Sequence, residues 1–157
     1  MTAMTTMARP IIPVLAPLYE RMSGLAEPLI RATAGILLMP HGAQKLFGWF
    51  GGYGLDGTAG YFAANLGLEP GIFWATLVAL TEFLGGLFLA IGLLTRPVAA
   101  AIAILMAVAV VAVHLPNGFF WVNGGFEYPL MWGLIALAFV FRGGGAVSID
   151  ARIGREF

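Results

Sequence analysis

The sequence predicts an all-α protein, an integral membrane four-helix bundle, on three observations. Only 10% of its 157 residues are charged while 60% are hydrophobic, and the mean hydropathy is +0.91. A soluble domain of this size needs more polar surface than that. Four apolar runs approach the roughly 20 residues that cross about 30 Å of hydrocarbon. Finally, the basic residues gather on one side of an even number of spans, which sets an orientation.

Residues 1–27 read as a cytoplasmic or interfacial arm. Pro10, Pro13 and Pro17 interrupt the apolar stretch from Ile11 to Leu18 before it reaches spanning length. Pro17 to Ala26 is expected as a short surface helix with Tyr19 and Met22 dipping toward lipid. The transmembrane domain covers residues 28–142. Its helices are expected at Pro28–Phe47, Gly71–Leu94, Pro97–Leu115 and Glu127–Phe141, the last borrowing the Arg142 stem to complete its span. Small residues at four-residue spacing, Ala99, Ala103 and Ala107 on the third helix and Gly86 and Ala90 on the second, beside Gly85, allow close helix approach. Residues 143–157 form a cytoplasmic tail in which Ser148 is placed to cap a short helix.

Seven of the eight basic residues, Arg9, Arg21, Arg31, Arg96, Arg142, Arg152 and Arg155, fall at the termini or the tight second-to-third helix link, leaving Lys45 alone on the other side. Both termini are therefore expected to be cytoplasmic. The outer loops, 48–70 and 116–126, are rich in glycine and aromatic residues. Most of those rings suit headgroup anchoring, and a few are placed to roof a pocket. In the first loop Asp56 or Thr58 is expected to cap an interfacial helix ending near Asn65–Gly67.

Composition excludes several functions. Eight acidic against eight basic residues give no net charge, and no basic track is present for nucleic acid. Without cysteine there are no disulfides, thiolate chemistry or iron–sulfur ligation, so any redox role requires a borrowed electron carrier.

The ionisable residues within the apolar runs carry the functional lead, because charge inside a bilayer costs roughly 2.5–3.5 kcal/mol per residue on insertion scales. At 1.5 Å per residue from the cytoplasmic ends, His41 and Glu82 lie about 20 Å up, Glu127 about 22 Å, Lys45 about 26 Å and His114 about 27 Å. Four helices thus contribute to one cluster in the outer half. His41, Gln44 and Lys45 share a helix face, and Glu82 is the counter-charge expected for Lys45 or the hydrogen-bond partner of His41. His41, Lys45 and Glu82 are the candidate catalytic groups; with Gln44, His114 and Glu127 they form the candidate binding set for a quinone head. Other readings stand beside this one: Lys45 snorkelling to headgroups, His41 joining helices, and His114 and Glu127 solvated or capping. Two imidazoles with two carboxylates also make a conceivable metal set, but no His-x-x-x-His or Glu-x-x-His spacing supports it, and no metal is expected.

The string His41-Gly42-Ala43-Gln44-Lys45-Leu46-Phe47-Gly48 resembles the first-helix signature of the DoxX family of small four-helix membrane proteins. The resemblance continues through Gly51-Gly52-Tyr53-Gly54-Leu55, Glu82-Phe83-Leu84-Gly85-Gly86, Gly92-Leu93-Leu94-Thr95-Arg96, His114, Gly118-Phe119-Phe120 and Gly124-Gly125-Phe126-Glu127-Tyr128, about residues 28 to 150. It implies a multi-pass protein of the bacterial inner membrane, linked to quinone-coupled sulfur oxidation or membrane oxidoreductase assemblies, with His41, Gln44, Lys45, Glu82 and His114 at shared polar positions. The expected partners are the lipid bilayer, quinone, and a partner oxidoreductase or a second copy. The alternatives are a non-catalytic assembly subunit and a small-solute or proton pathway.

Overall fold

A computed structural model describes residues 10–156, so the first nine residues of the expected arm lie outside it. Among the described residues the protein is helical and contains no strand. The helices are α1 (Ala16–Phe47), α2 (Gly54–Leu66), α3 (Gly71–Ile91), α4 (Thr95–Ala109), α5 (Glu127–Arg142) and α6 (Ile149–Ile153). One π turn, Val110–His114, and one 3-10 turn, Leu115–Asn117, prolong α4.

Helix α1 corrects the expected first boundary, since it starts at Ala16 and passes through both Pro28 and Pro40. Pro17 sits in its first turn, where no backbone N–H is required, and so initiates the helix instead of breaking it. The surface helix expected from Pro17 to Ala26 is therefore the first part of α1. Helix α3 ends at Ile91 rather than Leu94, because Gly92 and Leu94 both adopt positive φ in the tight turn into α4. Helix α2 ends at Leu66 with left-handed Gly67 after it, near the expected position. Neither Asp56 nor Thr58 caps it: the helix begins at Gly54, and the Thr58 hydroxyl donates back to the Gly54 carbonyl at 2.7 Å.

Close approach of α1 and α3 organises the bundle. A Cβ on Gly35 would fall against the Gly86 carbonyl and 2.6 Å from the Ala90 nitrogen, and one on Gly42 would lie 2.5 Å from the Phe83 nitrogen. Glycine is required at both positions because the neighbouring atoms are backbone and cannot swing aside. Helix α4 packs along α5, and Ala34, Leu38, Leu89, Ile102, Met106 and Phe139 join all four long helices in one core. Of the alanine stripe on α4, Ala99 is buried, Ala103 is packed against the core and Ala107 is exposed. The outside is apolar too, with Ile36, Leu77, Ile104, Val111 and Phe141 exposed. Two helical stretches, Gly71–Ile91 and Thr95–Asn117, are long and apolar enough to cross a membrane.

The tail folds back onto the α3–α4 turn. Arg31, 2% exposed, donates from one guanidinium nitrogen to the carbonyls of Leu89 (2.7 Å) and Ala90 (2.8 Å) and from another to Val147. It thereby adds a second donor to the Leu89 carbonyl, which also accepts from the Gly92 N–H at 3.1 Å, and supplies a donor to the Ala90 carbonyl at the end of α3. Asp150 does the converse for α4, accepting from the N–H groups of Leu94 (2.8 Å) and Thr95 (2.9 Å) and from the Thr95 hydroxyl (2.7 Å). Burial alone would raise the Asp150 carboxyl; the bonds from Thr95 and Leu94, with Arg31 nearby, outweigh it and hold the group below its ordinary value. Ser148 caps α6 as expected, its hydroxyl oxygen accepting from Ala151 N–H at 3.0 Å.

Candidate functional site

At the other end of the bundle, α1, α2, α3 and α4 with its π turn line a half-open, mainly apolar cavity of about 380 Å³. Its charged wall is one ion pair. Lys45, in the last turn of α1, donates to Glu82 Oε2 at 2.6 Å. Glu82 is 6% exposed, held by α3 at the level where Gly42 brings the two helices together. A carboxylate this deeply buried requires a cation in contact, and Lys45 supplies it. The ammonium also donates to the His41 carbonyl at 3.4 Å, leaving a third N–H for the cavity.

The remaining wall comes from elements that converge only in three dimensions. Gln44 lines the cavity and donates from its amide to the Phe50 carbonyl at 3.3 Å, which folds the following loop over the helix end. Helix α2 contributes Thr58, Tyr61 and Phe62, α3 adds Val78, and α4 with its π turn adds Leu105, Ala109, Ala112 and His114. The π turn is itself notable, because a π bulge re-aims side chains and occurs frequently at functional sites.

Of the six residues the sequence singled out, the structure brings Gln44, Lys45, Glu82 and His114 to this cavity and separates the other two. The His41 ring is exposed, and no α1 residue before Gln44 lines the cavity; only its backbone carbonyl touches the pair, through Lys45. Glu127 opens α5 and spends its carboxylate on the Trp121 N–H at 3.1 Å, bracing the second loop. The His41, Glu82, His114 and Glu127 set therefore does not converge as metal ligands, and among the described residues no three His, Asp or Glu side chains do.

Thr58, considered only as a cap, and Tyr61 and Phe62, considered only among the loop aromatics, were not singled out as site residues, although their i, i+3, i+4 spacing puts them on one face of an interfacial helix. The same signal runs through Leu105, Val108, Ala109 and Ala112, all in the cavity wall. Among the loop aromatics Trp49, Phe119 and Trp121 are exposed away from the cavity, while Tyr53, Tyr61 and Phe62 line it, Phe62 buried and the two tyrosines still exposed.

The DoxX family profile matches residues 28–115, a stretch that includes α2, α3, α4, the π turn and every residue that lines the cavity. The chain belongs to the DoxX family. It is 33% identical over 110 residues to a Bacillus subtilis (strain 168) protein named "Putative oxidoreductase CatD", covering 70% of this chain and 75% of that one. A Haemophilus influenzae (strain Rd) protein, named only as uncharacterized, is 30% identical over 130 residues, covering 81% and 90% respectively. No solved structure matches the chain. Family membership together with the two long apolar helices identifies a membrane protein.

Proposed function

We propose that this DoxX protein is a four-span subunit of the bacterial inner membrane, with both termini cytoplasmic, that binds a quinone or quinol within a membrane oxidoreductase assembly. One observation carries the reading: the Lys45–Glu82 ion pair forms part of the wall of a largely apolar cavity instead of being sealed in packing. Such a cavity holds a ring and the start of an isoprenoid tail by burial, and a few placed polar groups orient the ring oxygens. The residues fit that ligand. Lys45 offers an N–H to a ring oxygen, Glu82 Oε1 has no hydrogen-bond partner among the described residues, and His114 faces the same space from α4. When bound, the quinone supplies two-electron, two-proton chemistry that no side chain here can provide. The chain's own groups orient the ring and exchange its protons. Electrons come from a partner enzyme, a role in keeping with the oxidoreductase name of the Bacillus relative.

Glu82→Gln tests the reading, since it keeps shape and hydrogen bonding but removes the charge. The variant should insert and melt close to the parent while losing quinone binding, measured by titration in nanodiscs. Unchanged quinone binding in a folded variant overturns the proposal. The competing reading is a structural pair joining α1 to α3 beside the Gly42 crossing, and it predicts a lower melting temperature as the first effect. Orientation is tested separately: Asp56→Cys and Asn123→Cys should react with an impermeant thiol reagent in intact cells and Arg152→Cys should not.

A further inference from the structure

The second loop fixes the protonation pattern of one cavity residue. His114 Nδ1 lies 2.6 Å from the Gly124 carbonyl oxygen, and a carbonyl only accepts, so Nδ1 carries the proton. Several contacts hold that carbonyl in place. Asn117 also donates to it at 3.2 Å, Gly124 has a φ of +75°, and the loop closes through Phe126 N–H to Gly118 and Glu127 N–H to Phe119. In the neutral imidazole the other nitrogen, Nε2, is then an acceptor, and it has no partner among the described residues. His114 itself stands in the cavity wall.

From this asymmetry we propose that His114 makes the cavity selective for the reduced, hydroxyl-bearing ring over the oxidised dicarbonyl ring. The inference rests on the quinone-site reading above and specifies its ligand. Lys45 is a pure donor and satisfies a ring oxygen in either redox form. Neutral His114 Nε2 accepts, so a ring hydroxyl pairs with it, whereas a ring carbonyl sets lone pair against lone pair and leaves both unsatisfied. Leaving a desolvated acceptor unpaired should cost about tenfold in affinity or more.

The test is calorimetric titration of the whole protein in nanodiscs at pH 8 under nitrogen, with duroquinol and duroquinone as probes. The wild type should bind duroquinol at least about tenfold more tightly. His114→Asn places an amide N–H where Nδ1–H was, keeps the Gly124 bond and deletes the second nitrogen. It should weaken duroquinol binding and relieve duroquinone of the opposed lone pair, so that the preference of about tenfold is lost. The dimethyl ether of duroquinol has no hydroxyl to donate and should bind the wild type no better than duroquinone, a comparison that needs no variant to fold. Equal affinity for the two redox forms, tight binding of the ether, or full discrimination by a folded His114→Asn each overturns the selectivity while leaving the cavity a quinone site. Binding of none of the probes overturns both the selectivity and the site.

Discussion

Arg31 and Lys45 lie fourteen residues apart on one helix, and each is a cation held against α3. Arg31 is 2% exposed and spends two of its guanidinium nitrogens on three backbone carbonyls. Lys45 has a side chain 26% exposed, pairs with one oxygen of Glu82, and stands in the wall of a cavity. Around Arg31 the protein fills the space: a Cβ on Gly92 would lie 2.5 Å from its guanidinium, and one on Gly145 would fall on Glu27. Burial of charge therefore does not by itself mark function. Arg31 Nε is buried without a partner, so what separates the two cations is where their free donors point: one closed in by packing is architecture, and one that keeps bonding capacity toward open space is a candidate for chemistry.

Substitutions can break this contrast, and Arg31→Met should have the largest effect. It strips the side-chain donor from the Leu89, Ala90 and Val147 carbonyls and takes a cation from beside Asp150, while Glu27 keeps Arg142 at 2.9 Å, so a loss of about 2–5 kcal/mol in thermal unfolding is expected. Ligand binding well below the melting point should survive, because the cavity lies at the other end. Gly35→Val should follow, at about 1–3 kcal/mol, by forcing a side chain into the Gly86 carbonyl and Ala90 nitrogen. This crossing lies between the two ends and sets the spacing of α1 and α3, so both stability and quinone binding should fall.

Asp150→Asn should cost about 0.5–2 kcal/mol near neutral pH, the range for losing a helix cap. Its pH dependence is the sharper readout. A carboxyl held below its ordinary value stabilises the fold fully above that value, near pH ~4, and the contribution fades as pH falls through the lowered folded value. Acid melting curves should therefore be steeper for the parent than for Asp150→Asn; parallel curves would remove Asp150 from the clamp. Glu82→Gln should have the smallest stability effect, below about 1 kcal/mol, because Lys45 is exposed enough for water to take over its solvation. A large loss of stability there would erase the distinction between the two ends.

The residues differ in how far they can be read from the chain. Gly42 and Glu82 announce themselves locally, one as room beside a polar helix face and the other as a lone carboxylate in an apolar run; depth puts them at one level, and only the packing of Gly42 against Ala79 and Phe83 shows that α1 and α3 cross there. Arg31 was legible only as a topology marker, since nothing in its surroundings along the chain reveals that the Val147 carbonyl returns to it across 116 positions. His41 shows the opposite error: helical spacing places it with Gln44 and Lys45, but spacing says nothing about where a cavity ends.

Composition and hydropathy determined the all-α class, the apolar helices and the polar residues worth watching, because local periodicity and the cost of burying charge act on each segment separately. Tertiary structure decided which of those residues share a space. It also decided that the tail clamps the α3–α4 turn, that α2 roofs the cavity and that Gly124 sets the tautomer of His114. Each of these depends on backbone atoms of distant segments, which carry hydrogen bonds but leave no mark in the side-chain sequence.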